Sequence, residues 1–240
     1  MADILLEAPV FNLEAALQAA AFGVDRIELC ADFDSGGTTP SLGLFQEIKE
    51  SVGIPVFVMI RPRGGHFTYS EAEIRVMQND IELFKKFGAD GFVFGILTTE
   101  GMVDSENCKK LLAAANTLPC TFHRAFDFCK NPEAALETLI ELGFKRILTS
   151  GAQPNVEKGL DNLVRYLNLA KNRIIILPGG GMKPKWIEPL RKTQMLLEVH
   201  ASCKCFSSSD AFSHPLSAGF GKSPGISKSC VEEFRALLKN

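Results

Sequence analysis

The stretch Val56-Phe-Val-Met-Ile-Arg-Pro-Arg-Gly-Gly65 is an apolar run that ends abruptly in two arginines, a proline and a glycine pair. Such a run is typical of a parallel strand that is buried on both faces and then leaves the core. In a strand, Phe57, Met59 and Arg61 lie on the same face. A buried guanidinium needs carboxylates or an anionic ligand beside it. Arg61 therefore predicts a polar site at the carboxyl end of this strand.

Short apolar runs alternate with amphipathic helical patterns along the whole chain, which contains 240 residues. Eight predicted strands with helices between them and short connections indicate a parallel α/β TIM barrel, the (βα)8 fold. Roughly 250 residues is typical of that fold. Besides the run at 56–65, strands are predicted at 4–7, 26–30, 91–97, 120–126, 146–150, 174–177 and 196–200.

The chain is predicted to form a single domain over residues 1–240, because no internal boundary is evident before about residue 207. There the composition shifts to serine, glycine and proline, which predicts a long loop over 206–230. A final helix is predicted at 231–239. A loop of this length is uncommon unless it covers a site or an oligomer contact.

The composition argues against several classes of protein. The formal net charge of -2 disfavours nucleic-acid binding. No apolar run reaches the roughly 18 residues of a membrane-spanning helix, and the N-terminus lacks the pattern of a signal peptide. The seven cysteines have no regular spacing, which fits reduced thiols better than disulfides. We therefore expect a cytoplasmic protein that binds neither nucleic acid nor membranes.

Ionisable side chains cluster at the carboxyl ends of the predicted strands, where TIM barrels carry their active sites. One interpretation is a structural network in which three glutamates pair with Arg61 and Arg124. The other is an acid-base pocket in which arginines hold an anion. The predicted proton carriers are Glu28, His123, Glu198 and His200, and the predicted ligand contacts are Glu7, Arg61, Arg63, Arg124, Asp127, Ser150, Gly179, Gly180 and Gly181.

Other chemistries are disfavoured by what the strand ends lack. No lysine falls there, which argues against a Schiff-base aldolase. The sequence has neither a His-x-His strand nor a helical His-Glu-x-x-His, so a hard catalytic divalent metal is not indicated. Thiolates, in contrast, select Cu(I). Cys30 ends the second strand and Cys203 follows the eighth, and we treat both as candidate metal ligands.

Long motifs in this chain resemble the CutC family of copper-homeostasis proteins. The similarity extends from residue 4 to about residue 204, which is nearly the whole predicted barrel. The motifs are Glu7, Arg26-Ile-Glu-Leu-Cys30, Gly36-Gly-Thr-Thr-Pro-Ser-Leu-Gly43, Val58-Met-Ile-Arg-Pro-Arg-Gly-Gly65, Ala89-Asp-Gly91, Val93-Phe-Gly95, Thr121-Phe-His-Arg-Ala-Phe-Asp127, Ile147-Leu-Thr-Ser-Gly151, Pro178-Gly-Gly-Gly181 and Glu198-Val-His200.

The resemblance implies a cytoplasmic TIM barrel that binds Cu(I) in copper homeostasis and assembles as a homo-oligomer, a dimer or a tetramer. It also implies that Cys30 is a Cu(I) ligand. Pro9 stands where relatives carry the proposed partner of that cysteine, and proline offers no ligand. Our hypothesis is that Cys203 replaces this partner. The alternative function is an enzyme of unassigned reaction that acts on a small anionic metabolite, phosphorylated or not.

Overall fold

The computed structural model describes residues 3–206 and 223–239. Eight parallel strands form one sheet in which neighbours along the chain are neighbours in space. The first strand also pairs with the eighth, and the seventh lies beside the eighth, so the sheet curls into a nearly closed barrel. The predicted TIM barrel is confirmed. The strands are β1 (Leu5–Val10), β2 (Arg26–Leu29), β3 (Val56–Met59), β4 (Gly91–Phe94), β5 (Cys120–Phe122), β6 (Arg146–Thr149), β7 (Ile175–Pro178) and β8 (Glu198–His200).

Helices follow the strands, and most begin at a side chain that satisfies a free backbone N–H group. Asn12 accepts a hydrogen bond from the Ala15 backbone N–H at 2.7 Å. Ser70 and Glu73 form a complete capping box, and Asn131 precedes a helix with proline at its first position. The helices are α1 (Leu13–Phe22), α2 (Leu42–Ser51), α3 (Glu71–Lys86), α4 (Ser105–Ala115), α5 (Pro132–Leu142), α6 (Val156–Ala170), α7 (Ile187–Arg191) and α8 (Lys228–Leu238).

Some strand limits differ from those predicted. The fourth and fifth strands end earlier, because the chain turns at the mouth of the barrel. After β5 it enters a short 3-10 helix, Arg124–Phe128, and the His123 ring stabilises the turn by accepting a hydrogen bond from the Ala125 backbone N–H at 3.2 Å. The first strand runs further than predicted, through Pro9 to Val10, and pairs with β2 over this extension.

The C-terminal segment returns to the barrel. Strand β9 (Lys204–Cys205) pairs antiparallel with β10 (Gly225–Ile226). The final helix begins at Lys228 rather than 231, because Ser227 caps it by accepting a hydrogen bond from a backbone N–H group at 3.3 Å. Most of the predicted loop over 206–230 lies outside the described residues. Among the helices that are described, none is both long enough and apolar enough to cross a membrane.

The barrel interior is separate from the large core between strands and helices. A small cluster of Cys30, Phe57, Met59 and Val93 fills the interior. Phe57 and Met59 therefore lie on the same face, as the period-two spacing predicts. Gly91 makes room for this packing, since a Cβ atom there would lie 2.5 Å from the Phe57 ring. This apolar cluster shares the interior of the barrel with buried polar side chains, among them Glu7, Arg26 and Glu28.

Candidate functional site

Deep in the barrel, two arginines and two glutamates form a buried ion-pair network. Arg26 begins β2 and donates from Nε to Glu7 Oε2 at 2.5 Å and from a terminal nitrogen to Glu198. Arg146 begins β6 and donates from Nε to Glu198 Oε2 at 2.7 Å. Phe57 lies against both guanidiniums, with its ring centroid 4.8 Å and 5.0 Å from their Cζ atoms. Each charge in this deep network therefore has an opposite charge bonded to it.

Above this network, a histidine lies between two carboxylates. His200 ends β8, and its Nδ1 lies 2.8 Å from Glu7 Oε1. Its Nε2 lies 3.8 Å from Glu28 Oε2, on the other side of the ring. All three side chains are buried, and their ligand atoms lie within 4.8 Å of one another. This geometry could hold a cation, although the Arg26 charge on Glu7 opposes a divalent one.

The same arrangement shifts the protonation of the three groups. Burial alone would raise the pKa of Glu7, but Arg26 and His200 outweigh it and lower that pKa to about 2. Burial raises the pKa of Glu28 to about 7, and the negative charge of Glu7 adds to the increase. Burial would lower the pKa of His200, yet Glu28 and Glu7 outweigh it and raise that pKa. Glu28 and His200 are thus suited to exchanging a proton near neutral pH.

Arg61 lies at the mouth with its charge uncompensated by any carboxylate of the described residues. Its two terminal nitrogens donate to the backbone carbonyls of Ser35 (2.8 Å), Gly37 (2.9 Å) and Gly65 (2.8 Å). The side chain is only 5% exposed, and its Cζ lies 5.1 Å from the centroid of the Phe67 ring. Carbonyl dipoles and a ring face orient the guanidinium without neutralising it. Arg61 therefore keeps a positive potential that can attract and bind an anion.

His123 presents a second hydrogen-bond donor at the mouth. Its Nδ1 accepts a hydrogen bond from the Ala125 backbone N–H, so the proton of the neutral ring lies on Nε2. Burial and the Arg61 charge lower the pKa of His123 to about 3, which keeps the ring neutral. The ring packs 4.9 Å from that of Phe67, and Gly95 leaves space for it. The predicted proton carrier is therefore placed as a neutral donor.

Asp127 organises a separate cluster beside the mouth. Its carboxylate accepts hydrogen bonds from the Thr149 hydroxyl and from the backbone N–H groups of Ser150 and Ala152. Arg124 donates from Nε to Asp127 Oδ2 at 2.8 Å and from a terminal nitrogen to the Ser150 hydroxyl at 2.8 Å. This cluster fixes the loop after β6. Its polar groups largely satisfy one another.

The glycines that follow β7 permit close packing at this end of the barrel. A Cβ atom at Gly179 would lie 3.0 Å from His200 Cβ and 2.5 Å from a Leu148 methyl group. One at Gly180 would lie 2.9 Å from the Arg124 Cζ. Gly180 and Gly181 also have φ values of 87° and 81°, which favour glycine. Gly179 and Gly180 thus allow the His200 and Arg124 side chains to approach the backbone closely.

A cavity of about 180 Å³ opens at the mouth. Three buried polar atoms on its lining residues have no hydrogen-bond partner: Glu28 Oε1, Arg61 Nε and His123 Nε2. Buried polar groups in native proteins are normally satisfied, so three unsatisfied atoms at one cavity indicate a ligand site. The remaining lining residues are Pro9, Phe11, Cys30, Phe33, Gly36, Met59, Phe67, Arg124, Leu148 and His200.

Comparison with known proteins places the chain in a family. A model of the CutC family matches residues 4–205. The chain belongs to the CutC family. It is 50% identical over 200 residues to the copper homeostasis protein cutC homolog of Homo sapiens, covering 83% of this chain and 73% of the relative. A CutC family protein of Klebsiella pneumoniae (strain 342) is 43% identical over 212 residues, covering 88% of this chain and 85% of that protein.

Solved structures agree with the assignment to CutC. The crystal structure of the putative copper homeostasis protein CutC from Streptococcus agalactiae is 34% identical, with a TM-score of 0.77, and the match covers 83% of this chain and 98% of that one. An aldolase is similar at 15% identity, with a TM-score of 0.58 over 83% of this chain and 90% of that one. The likeness to the aldolase shows the fold alone. The resemblance seen in the sequence is confirmed.

The structure of this chain brings some of the predicted site residues together and separates others. Arg63 pairs with Glu73 at 2.5 Å and lies off the cavity. Glu198 lies in the deep network, because it begins β8 instead of ending it. Glu7 and Glu198 pair with Arg26 and Arg146. None of the three glutamates pairs with Arg61 or Arg124, in contrast to the structural-network interpretation. The predicted residues that line the cavity are Glu28, Cys30, Arg61, His123, Arg124 and His200.

The two candidate metal ligands lie in different parts of this CutC chain. Cys30 lines the cavity and packs with Met59 in the barrel interior. Cys203 belongs to the outer core, where its thiol hydrogen-bonds with that of Cys230. Burial raises the pKa of Cys30 well above its usual value and that of Cys203 as well, so both thiols are protonated at neutral pH. The structure thus provides no shared site for Cys30 and Cys203.

Sequence reasoning missed Arg26 and Arg146 as parts of the interior. Arg26 shares the inward face of its strand with Glu28 and Cys30, so the period-two spacing could have indicated its position. It was overlooked because only strand ends were searched. Met59 was placed on the same face as Phe57 and Arg61, but it was not considered as a soft ligand beside Cys30.

Proposed function

We propose that this chain serves copper homeostasis by binding Cu(I) as its cargo at the mouth of the barrel, with Cys30 as the principal ligand. Membership of the CutC family supports the role in copper homeostasis. The observation that carries the site is the position of Cys30 on the cavity wall beside Met59. A thiol and a thioether are the ligand pair that Cu(I) favours.

The residues present fit the ion in three respects. A Cβ atom at Gly37 would lie 3.2 Å from Cys30 Sγ and 3.5 Å from the Met59 methyl carbon Cε, so both side chains lie against Gly37. Both side chains also line the cavity, which gives the ion access. Arg61 and Glu28 line the same cavity, so a positive or a negative charge on the bound copper complex has a group of opposite charge nearby.

Binding requires Cys30 to lose its proton, because the thiolate is the ligand. Burial and the neighbouring Glu28 raise the pKa of the Cys30 thiol, so the ion must displace a proton that the free protein retains. His200 and Glu28 line the same cavity and can pass this proton on to the solvent. Cu(I) uptake should therefore be accompanied by proton release to the solvent.

We place this function in the cytosol, since all seven cysteines are free thiols, as expected in a reducing compartment. The homo-oligomer that the resemblance implies stays a prediction. The comparisons do not favour the alternative of an enzyme of unassigned reaction, and the proposal does not include it.

An anaerobic Cu(I) titration in competition with a chromogenic chelator tests the proposal. We expect stoichiometric uptake by the full chain, loss of uptake in Cys30→Ser, and weaker uptake in Met59→Leu. Cys203→Ser is the matched control, because it also removes a buried thiol but lies away from the cavity, and it should bind like the unaltered protein. Failure of the unaltered protein to compete with the chelator would refute Cu(I) binding. Loss confined to Cys203→Ser would move the site to Cys203 and Cys230.

A further inference from the structure

The mouth cavity has a polar wall whose hydrogen-bonding atoms are not ligands of Cu(I) in the proposed function. Three side chains that line this wall each have an atom without a hydrogen-bond partner: Glu28 Oε1, Arg61 Nε and His123 Nε2. All three side chains are at least nine-tenths buried, with exposed fractions of 4%, 5% and 4%. A donor or acceptor left unsatisfied in this way destabilises the protein unless a ligand or water completes it. Three such atoms around one cavity define the chemistry of what should fill it.

Two of these atoms are donors, and one charge accompanies them. Arg61 Nε and His123 Nε2 each carry a hydrogen, since the other nitrogen of the His123 ring accepts from Ala125. Arg61 has no carboxylate partner among the described residues, so its charge is free to pair with an anion. Two N–H groups and one positive charge match the two oxygens and single charge of a carboxylate.

The third atom, Glu28 Oε1, is best matched by a hydroxyl group of the ligand. A hydroxyl can donate to the ionised carboxylate and can accept from its acid form, so the contact exists in either state of Glu28. A second carboxylate at this position would be repelled by an ionised Glu28 and by Glu7 behind it. The acceptor therefore selects a neutral polar group on a ligand whose charged end contacts Arg61.

Size and apolar lining restrict the ligand further. The cavity of about 180 Å³ has room for about six water molecules at about 30 Å³ each. Phe11, Leu148 and Pro9 are among the apolar residues that line the cavity, and their surface suits a short hydrocarbon body. We propose that the mouth of the barrel binds a small hydroxy carboxylate, with its carboxylate on Arg61 Nε and His123 Nε2 and its hydroxyl on Glu28 Oε1. Lactate has the size and the groups of such a ligand.

Calorimetric titration of the copper-free full chain with lactate tests this site, with propanoate and propylene glycol as probes that lack the hydroxyl and the carboxylate. We expect saturable binding of lactate, about tenfold weaker binding of propanoate, because Glu28 Oε1 then stays unsatisfied, and no binding of the glycol. Binding of Cu(I) is not required for this result. A protein that takes up Cu(I) but no lactate would refute this inference alone.

Paired variants separate the contacts from folding. His123→Leu removes the donor and should weaken lactate binding about tenfold, whereas His123→Gln keeps an N–H near the Nε2 position and should restore most of it. Glu28→Leu should abolish the preference for lactate over propanoate, and Glu28→Gln should retain it. His66→Leu, on the exposed loop after β3, is the control and should bind like the unaltered protein. Unsaturable binding of lactate, or binding unchanged in His123→Leu, would overturn the proposal.

Discussion

The deep network and the mouth of the barrel use the same residue types in opposite ways. In the network, Arg26 and Arg146 bond directly to glutamates, and only Arg146 Nη1 lacks a partner. At the mouth, Arg61 has carbonyl partners but no carboxylate among the described residues, and three polar atoms are unsatisfied. Every charge in the network has an opposite charge bonded to it. Arg61 at the mouth has none, and this difference supports the mouth as the candidate binding site.

The comparison also explains why Glu7 and Glu28 behave differently. Both are buried glutamates on neighbouring strands, but Glu7 contacts Arg26 directly and Glu28 has no arginine bonded to it. The pKa of Glu7 is accordingly lowered and that of Glu28 raised. One carboxylate stabilises the fold as an anion. The other stays near its point of titration, which costs stability and suits a binding site.

The largest effect should come from breaking the deep network. Glu198→Ala leaves two buried guanidiniums without an anion between them, and this should cost about 3–5 kcal/mol of the free energy of unfolding. Urea unfolding followed by circular dichroism measures it. Glu137→Ala is the control, because Glu137 pairs with Arg173 at 2.7 Å on the surface and should change nothing measurable. Equal effects of both substitutions would show that the network does not stabilise the fold.

The next effect is a contrast in sign between two conservative variants. The pKa of Glu7 is lowered from 4.5 to about 2, so its stabilisation is present above pH 4.5 and is lost as the pH falls toward 2. Glu7→Gln should therefore reduce stability at pH 7 by up to about 3 kcal/mol. The pKa of Glu28 is raised from 4.5 to about 7, so its contribution is lost as the pH rises through 7. Glu28→Gln should therefore increase stability at pH 8 by up to about 3 kcal/mol.

Unfolding free energies measured across pH 3–9 on the two variants and the unaltered protein check this contrast. The Glu7→Gln difference should shrink as the pH falls below 4.5, and the Glu28→Gln difference should shrink between pH 7 and pH 4.5. If both Glu7→Gln and Glu28→Gln lowered the free energy of unfolding at pH 8, Glu28 would be paired as firmly as Glu7. The mouth would then be a second structural network.

The fold could be predicted because its signals are local. Apolar runs, helix caps and short connections each lie within a few residues, and together they imply parallel strands. The strand-end residues Glu28, Arg61, His123 and His200 could be predicted for the same reason, since the fold class alone brings strand ends together. Limits of strands such as β5 could not, because they depend on how the chain turns at the mouth.

The partners of each charge could not be predicted from the sequence. They depend on strand register, which places Glu7 beside Arg26 and His200, and on contacts across the barrel such as that of Arg146 with Glu198. Whether a buried atom is satisfied depends on those contacts too. Sequence could therefore list the charged residues at the strand ends but could not divide the charged residues of the interior into a paired network and an unsatisfied mouth.

The smallest predicted effect tests whether the geometry of the mouth matters apart from its charge. A Cβ atom at Gly95 would lie 2.6 Å from His123 Nδ1, and the ring is held on its other side by Phe67. Gly95→Ala should therefore displace the ring and cost about 1–3 kcal/mol of unfolding free energy, as overpacking does. It should also weaken lactate binding, although no polar group is removed. Gly53→Ala is the control, since nothing lies within 4 Å of a Cβ atom there. If Gly95→Ala lost stability but bound lactate normally, His123 would be a packing residue, and the ligand would have to be held by Arg61 and Glu28 alone.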